Sequence, residues 1–182
     1  MGGKRKGFDA AVIDDRRVLV LQSRMTCQQV VDLVTTNPPA VVAIDSPRSC
    51  APEGKTAREG ERQLARSICG IRWTPDLRRV HASTYYAWIL EGRVLFDALA
   101  ARGVEVIEVF PTASWTRWHG KRGAQSRASW SRQGLAALGL ENVPERTNQD
   151  QRDAIAAAMT ARQHSLALTE TIGEIVVPAG RW

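Results

Sequence analysis

A short apolar run that ends in an acid, Val41-Val42-Ala43-Ile44-Asp45-Ser46-Pro47, constrains the fold of this chain more than any other stretch. Its four small apolar residues, most of them β-branched, predict a strand that is buried on both faces. Asp45 is therefore expected at the carboxyl end of a central strand, which is the edge where ligands bind in open α/β sheets. The alternative is that Asp45 only opens a turn, as aspartate before Ser-Pro often does.

The start of the chain predicts a β-hairpin that carries a second acid. Residues 7–13 and 17–22 read as two antiparallel strands around the turn Asp14-Asp15-Arg16. Asp9 shares one strand face with Ala11 and Ile13. A carboxylate inside such a strand is costly unless it is paired or binds a metal, so Asp9 is a candidate metal ligand.

Three further acids fall on predicted buried elements. Residues 104–110 predict another buried strand, and Glu108 lies near its carboxyl end, where a charged residue is informative. Residues 148–162 predict a strong helix whose alanines let it lie close to a sheet. Asp150 and Asp153 share a face in its first turns. Complementing the helix dipole explains Asp150 well and Asp153 less well, because Asp153 falls beside the alanine face.

The remaining elements complete a pattern of mixed strands and helices. Asn148 is the predicted N-cap of the late helix, and Thr26 is the predicted N-cap of an early one. Residues 76–83 are expected to be irregular. Because 182 residues are enough for one α/β core, a single domain over residues 1–182 is expected. The other predicted elements are helices over 56–69, 84–102 and 129–138 and a last strand over 174–177.

Two segments carry clustered cations. Arg58, Arg62 and Arg66 recur every fourth residue and project from one helix face, which is either solvated or a surface for phosphates. Residues 111–132 interleave basic side chains with Trp115, Trp118 and Trp130, which suits phosphate contacts and base stacking. The alternative is a mobile surface loop whose tryptophans pack on the core. The candidate nucleic-acid contacts are Arg58, Arg66, Lys121 and Arg127.

Charge and composition narrow the function classes. The net charge of +6 and the pI near 9.8 allow a polyanionic partner, although many basic proteins bind no nucleic acid. The three cysteines are widely spaced, which disfavours a disulfide framework or a zinc site and favours a reducing cytoplasm. Acids interrupt the apolar run that a signal peptide would need after the basic N-terminus. No apolar run approaches the roughly 20 residues of a membrane span, so a cytoplasmic protein without a membrane partner is expected.

The acids together suit one kind of cofactor. Carboxylates without a His or Cys cluster suit Mg²⁺ or Mn²⁺, which prefer oxygen ligands, and disfavour zinc. Two such ions about 4 Å apart can stabilise the charge and activate the water that phosphodiester cleavage requires. Spacing along the chain leaves open whether Asp9, Asp45, Glu108 and Asp153 converge.

A set of short motifs runs in order along nearly the whole chain. The set comprises Gly7-Phe8-Asp9-Ala10-Ala11, Val42-Ala43-Ile44-Asp45-Ser46-Pro47, Arg58-x-x-Glu61-Arg62-x-x-Ala65-Arg66 with Gly70 and Pro75, Glu108-Val109-Phe110-Pro111, Lys121 with Arg127, Asp150-x-x-Asp153-Ala154, and Gly173-Glu174-Ile175-Val176-Val177-Pro178. In content and order these motifs resemble those of the predicted ribonuclease H-like nucleases of the domain of unknown function 429 family, in the ribonuclease H-like superfamily.

The resemblance implies a fold and a site. The implied fold is α/β and ribonuclease H-like, with a mixed, roughly five-stranded sheet, an N-terminal antiparallel hairpin and helices on both faces. The short region over 21–26 departs from the family's pattern, because it leaves little room for a third antiparallel strand. The implied metal and catalytic residues are Asp9, Asp45 and Asp153, with Glu108 or Asp150 assisting.

These observations predict a metal-dependent nuclease that hydrolyses phosphodiester bonds in DNA or RNA. Asp9, Asp45 and Asp153 would hold Mg²⁺ or Mn²⁺, and Glu108 would ligate the ion or orient the water. One alternative is a non-catalytic module that binds nucleic acid or protein on the same fold. Another is a nucleotide phosphohydrolase or phosphotransferase, although the chain has no phosphate loop of the G-x-x-x-x-G-K type.

Overall fold

The computed structural model describes residues 7–180, which combine seven α-helices with two β-sheets. The predicted α/β class is therefore confirmed. The basic residues 4–6, part of the segment in which no signal peptide is expected, lie outside the described residues. No helix within residues 7–180 combines the length and the apolar character that crossing a membrane requires.

The elements alternate along the chain. The strands are β1 Phe8–Asp14, β2 Arg17–Met25, β3 Val42–Ile44, β4 Val106–Val109, β5 Thr169–Ile172 and β6 Ile175–Pro178. The helices are α1 Cys27–Thr36, α2 Glu59–Ser67, α3 Leu77–His81, α4 Ala87–Ala100, α5 Pro111–His119, α6 Arg127–Ala137 and α7 Gln149–Ser165, with a 3₁₀ turn at Thr84–Tyr86 before α4.

The strands form two separate sheets. β1 and β2 make an antiparallel hairpin, and the other four strands make a mixed sheet in the order β3-β4-β6-β5. β3 pairs parallel to β4 and β4 pairs parallel to β6, while β5 runs antiparallel to β6. The family resemblance implies a mixed sheet of roughly five strands, so the observed division into two sheets differs from that expectation. The strand β3 is only three residues long and pairs along β4, and no ladder joins it to the hairpin.

Helices cover both faces of the four-stranded sheet because neighbouring strand residues point to opposite sides. Ile44 and Val106 pack with apolar residues of α1 and α4. Ile107 on the other face packs against Ala157 and Ala161 of α7. The small alanine side chains let α7 lie close to the sheet, as the sequence predicts. The helix consequently carries its first-turn acids to the edge where β3 ends.

Local signals account for most of the element boundaries. The Thr26 side chain accepts a hydrogen bond from the Gln29 backbone, and the Asn148 side chain accepts one from Gln151, so both predicted N-caps are confirmed. The expectation that residues 76–83 are irregular is wrong, because the Asp76 side chain caps the short helix α3. The predicted last strand is also one arm of a hairpin with β5.

The tryptophan-rich segment is helical and packed against the core. Residues 111–132 form α5, a connection over residues 120–126 and the start of α6, so the surface-loop part of the alternative is wrong for most of this segment. Trp115, Trp118 and Trp130 are buried, and the Trp115 and Trp118 rings meet edge to face at 5.5 Å. The indoles therefore contribute to the hydrophobic core, which confirms the packing alternative and removes these rings as open stacking surfaces.

Candidate functional site

Asp45 follows β3 directly and lies where two cavities meet. Asp45, Asp150 and Asp153 line both of them. Ser46 and Trp88 also line both. Asp45 lies at the carboxyl end of a strand that pairs parallel to its neighbour, but β3 is an edge strand of the four-stranded sheet and not the predicted central strand. The same edge receives acids from α7, the late helix on which the sequence places Asp150 and Asp153.

The first cavity, here called the interstrand cavity, separates the two sheets. It has a volume of about 570 Å³ and is lined by all of β1 and all of β3. Aliphatic residues of α1 and alanines of α7 complete most of its wall. Asp9 lines this cavity and does not line the second one. The structure thus places Asp9 on the same cavity wall as Asp45, but on the other sheet.

The second cavity, here called the basic cavity, has a volume of about 740 Å³. It runs from the acids at the end of β3 toward α2 and the start of α6. Most of its cations lie on exposed or half-buried side chains, and they outnumber the carboxylates among the lining residues. Its cationic lining residues are Arg58, Arg66, Arg72, Lys121, Arg122 and Arg127.

Asp45 has the most perturbed carboxyl group of this site. The pKa of Asp45 is raised to about 7, chiefly by burial and also by the nearby carboxylates of Asp153 and Asp150, while Arg127 opposes the rise. A poorly solvated acid whose proton affinity is raised by a second carboxylate also attracts a cation. The electrostatics therefore bring Asp45 and Asp153 together as one acidic pair.

Asp153 is buried, and its carboxylate already accepts hydrogen bonds. Trp115 Nε1 and Gln149 Nε2 donate to Oδ1 at 3.2 and 3.0 Å. Arg127 donates to Oδ2 at 2.9 Å. Burial raises the pKa of Asp153, while the charge of Arg127 and the hydrogen bonds from Trp115 and Gln149 lower it. The buried Trp115 thus has a polar role, since it helps to fix this acid in place.

Glu108 occupies a different environment from the other candidate acids. Its carboxylate accepts hydrogen bonds from Arg58 Nη1 at 2.8 Å, from Arg58 Nη2 at 2.5 Å and from the Arg48 backbone N–H at 2.8 Å. Arg58 also donates to Glu61 at 3.1 Å and to Glu174 at 2.9 Å. Glu108 lines the basic cavity, but its oxygens already accept hydrogen bonds from Arg58 and from the backbone of Arg48 in the loop that follows Asp45.

The predicted phosphate contacts divide into two groups. Arg58 is 7% exposed, and its guanidinium points into the protein. Arg58 is the N-cap residue of α2 and precedes the helix, so it does not share the exposed helical face of Arg62 and Arg66. Arg66 is exposed and pairs with Glu59 at 3.1 Å. Lys121 is exposed on the rim of the basic cavity, and Arg127 is half-buried beside Asp153. Of the predicted cations, Arg127 therefore contacts Asp153, and Lys121 lies on the rim of the same cavity.

Three buried hydrogen-bond donors lie at this edge, and two of them, on Ser46 and Trp88, belong to residues that are not among the predicted site residues. Ser46 Oγ, Trp88 Nε1 and Arg127 Nε have no hydrogen-bond partner among residues 7–180. Buried polar atoms are normally satisfied, so such a cluster marks a place for an oxygen-rich ligand or water. For Ser46, the sequence signal that could have marked it as a site residue is its position next to Asp45. For Trp88 there is no such signal, because its position in the sequence is equally typical of a core residue of α4.

The donor set fits one class of metal ion. Within residues 7–180, no group of three or more His, Cys, Asp or Glu side chains is placed to hold a metal. Mg²⁺ needs only one or two protein carboxylates, because water and substrate phosphate complete its shell. The pair formed by Asp45 and Asp153 fits that requirement and does not fit zinc, which takes a fuller protein set. An ion at this pair would share Oδ2 of Asp153 with Arg127 or displace it.

Comparison of the chain with family models, curated proteins and solved structures gave no match in any of the three searches.

Proposed function

We propose that this chain is a nuclease that hydrolyses nucleic-acid phosphodiester bonds with the help of Mg²⁺ or Mn²⁺. The observation that carries the proposal is the meeting of the Asp45–Asp153 pair with a cavity whose lining includes the exposed cations Arg66, Arg72, Lys121 and Arg122. Carboxylates suit a divalent ion and cations suit the phosphates on either side of the cleaved bond. Small uncharged substrates would use neither feature.

A ribonuclease H-like arrangement is part of the proposal. Its supports are the N-terminal hairpin, the parallel pairing of β3 with β4, and acids on β1, at the end of β3 and on α7. Asp45 and Asp153 would hold the ion, with Asp9 and Asp150 completing the acidic wall. When bound, the ion would supply Lewis-acid stabilisation of the phosphoryl charge and a more acidic water.

The surrounding side chains would bind and orient the phosphate. Ser46 Oγ, Trp88 Nε1 and Arg127 Nε are buried donors without partners among residues 7–180, and they would donate to its non-bridging oxygens. Lys121 and Arg122, both exposed on the rim, would neutralise the neighbouring phosphates.

Glu108 has a positioning role in this proposal. It holds the backbone N–H of Arg48, three residues beyond Asp45, and it is itself fixed by Arg58. Because this contact anchors the loop that begins at Asp45, Glu108 limits the movement of the metal-binding carboxylate. A direct role as ligand would require Glu108 to exchange its bonds with Arg58 for bonds to the ion.

One specific observation favours the binding module as the second candidate. The ion pair between Arg127 and Asp153 already neutralises one of the two central acids. A protein that only binds nucleic acid would keep this pair intact and would use the cationic rim alone. Such a protein would bind equally well with and without divalent ions, since its acids would have no task.

Cleavage of end-labelled nucleic acids in Mn²⁺ tests the proposal. The substrates are single-stranded DNA and RNA, duplex DNA and an RNA–DNA hybrid, offered to the wild type, Asp45→Asn and Asp153→Asn. Asp97→Asn is the matched control, because Asp97 is exposed on α4 and lines neither cavity. The expected result is metal-dependent cleavage by the wild type and the control only.

Three other results would contradict the proposal. Equal cleavage by the wild type and both site variants would show that the activity comes from elsewhere. No cleavage of any substrate, together with metal-independent binding that survives Asp45→Asn, would establish the binding module instead. Cleavage of free nucleotides without action on polymers would point to a nucleotide phosphohydrolase.

A further inference from the structure

An exposed row of alternating arginine and aromatic side chains lies beside the basic cavity. The guanidinium of Arg62 lies 5.8 Å from the ring centroid of Trp73. That of Arg72 lies 5.4 Å from the ring centroid of Tyr85. Trp73 is 43% exposed and Tyr85 is 54% exposed, so both rings present area to solvent. These four residues are here called the aromatic–arginine strip.

The cations of the strip are not neutralised by neighbouring acids. Within residues 7–180, the charged groups of Arg62 and Arg72 contact rings, whereas the nearby Arg66 and Arg78 form ion pairs with Glu59 and Glu53. A guanidinium over a ring keeps its full charge and most of its donors, because a ring accepts few hydrogen bonds. The strip therefore offers two unneutralised cations that are held in place by two partly open rings.

The strip is continuous with the basic cavity. Arg72 belongs to both, because it lines the cavity and stacks on Tyr85. The residues on either side of Trp73 along the chain, Arg72 and Thr74, both line the cavity. A chain that left the acids at the end of β3 through this cavity would consequently meet the strip next.

We propose that the aromatic–arginine strip binds single-stranded nucleic acid and leads it into the basic cavity. Bases would stack on the open faces of Trp73 and Tyr85, and Arg62 and Arg72 would contact the adjoining phosphates. The inference rests on the proposed nuclease function, to which it adds the class of substrate. A duplex keeps its bases stacked within its own helix, so it could contact only the arginines of the strip. Stacking on Trp73 and Tyr85 therefore distinguishes a single strand from a duplex.

Equilibrium binding in EDTA tests the strip without any cleavage. A fluorescein-labelled single strand of mixed sequence and the corresponding duplex are titrated with the wild type, Trp73→Ala and Tyr85→Ala, followed by anisotropy. Tyr85→Phe keeps the ring and should bind like the wild type. Leu166→Ala is the control, because Leu166 is 53% exposed and follows the far end of α7. Thermal melting confirms that each variant is folded.

Each alanine variant should raise the Kd for the single strand by roughly 5- to 150-fold, the range that the loss of one stacked base gives. The Kd for the duplex should change little. For the single strand, log K falls as log salt rises. Arg62→Gln and Arg72→Gln should each make this negative slope shallower by about 0.7. Together these results would establish stacking and phosphate contact in one strip.

Binding by Trp73→Ala and Tyr85→Ala that equals binding by Leu166→Ala would overturn the inference. A change in the salt slope without any effect of the ring variants would overturn it as well, because the surface would then be only electrostatic. Neither result would depend on catalysis, so a failed cleavage assay and a failed strip are separate outcomes.

Discussion

Arg58 and Glu108 form a buried two-pronged ion pair that ties α2 to the end of β4. The two hydrogen bonds measure 2.8 and 2.5 Å, and the two residues are 7% and 4% exposed. Arg58 also balances Glu61, which is 1% exposed and accepts the Thr74 backbone N–H at 3.0 Å. Burial lowers the pKa of Arg58, but the hydrogen bonds and charges of Glu108 and Glu61 raise it above its ordinary value. One arginine therefore pairs with two buried acids beside the basic cavity.

Arg58→Met should destabilise the protein by about 3–5 kcal/mol, because it leaves the buried carboxylates of Glu61 and Glu108 without their cation. Urea denaturation at pH 7 measures the change. The matched control is Arg66→Met on the same segment, which breaks only an exposed pair with Glu59 and should cost less than about 1 kcal/mol. Equal costs for the two variants would contradict the role assigned to Arg58.

The stability of the metal-free protein should fall as the pH rises from about 4 to about 7. The pKa of Asp45 is raised from 3.8 to about 7 in the folded protein, so the folded state holds its proton more tightly than the unfolded state does. The stabilisation that the Asp45 carboxyl contributes is fully present below its pKa of 3.8 in the unfolded state. It is lost as the pH rises through its pKa of about 7 in the folded state. The loss is at most about 4 kcal/mol, at about 1.4 kcal/mol for each pH unit.

Asp45→Asn isolates that contribution because an amide stays neutral. In EDTA the variant should match the wild type near pH 4 and exceed its unfolding free energy at pH 8. The control Asp97→Asn, on an exposed part of α4, should show no such pH-dependent difference. A wild type that remains more stable than Asp45→Asn at pH 8 would contradict the raised pKa.

Mn²⁺ should stabilise the protein at pH 8, where the Asp45–Asp153 pair is ionised and its charges repel. At an ion concentration roughly ten times Kd, the gain is about 1.4 kcal/mol, which is read as a higher Tm. Binding at pH 6 should also release a proton, measured in buffers of different ionisation enthalpy, because the ion displaces the proton of Asp45. Asp45→Asn should lose both effects, and a variant that retained them would place the ion elsewhere.

Gly92→Ala should displace the segment that begins at Asp45. A Cβ at residue 92 would lie 2.0 Å from Ser46 Oγ and 2.5 Å from Ser46 Cβ, so α4 could not keep its approach. Overpacking of this kind costs about 1–3 kcal/mol, which outweighs the better helix propensity of alanine.

The double variant Gly92→Ala with Ser46→Gly should regain most of the lost stability, since it removes both contacting atoms. Gly70→Ala is the control, because nothing lies within 4 Å of its added Cβ. Denaturation of the four proteins gives the coupling energy. Additive costs for Gly92→Ala and Ser46→Gly would contradict the direct contact.

The parts of this fold that follow from the sequence are those fixed by nearby residues. The hairpin, the N-caps at Thr26 and Asn148 and the position of Asp45 after a buried strand all depend on patterns a few residues long. Such patterns act through hydrogen bonds and side-chain alternation within one element. The position of Asp153 on α7 follows in the same way from its place beside the alanine face.

Contacts between distant elements are the part that sequence patterns do not contain. Arg58 reads as one of three cations on a helix face, yet its capping position turns it inward toward Glu108. The sequence of residues 111–132 is compatible with tryptophans that face bases and with tryptophans that face the core. Their burial in the tertiary fold decides between the two. Trp73 and Tyr85 carry no motif, since their pairing with arginines depends on loop geometry.

The interstrand cavity separates the two sheets that carry Asp9 and Asp45. Asp9 belongs to the hairpin and Asp45 to the larger sheet, and no hydrogen-bonded ladder links the strands that carry them. Their spacing is consequently set by the helices that pack on both, above all by the alanine face of α7. A bulkier side chain at Ala161, about two helical turns beyond Asp153, would push α7 away from the sheet and change the ion affinity without touching a ligand.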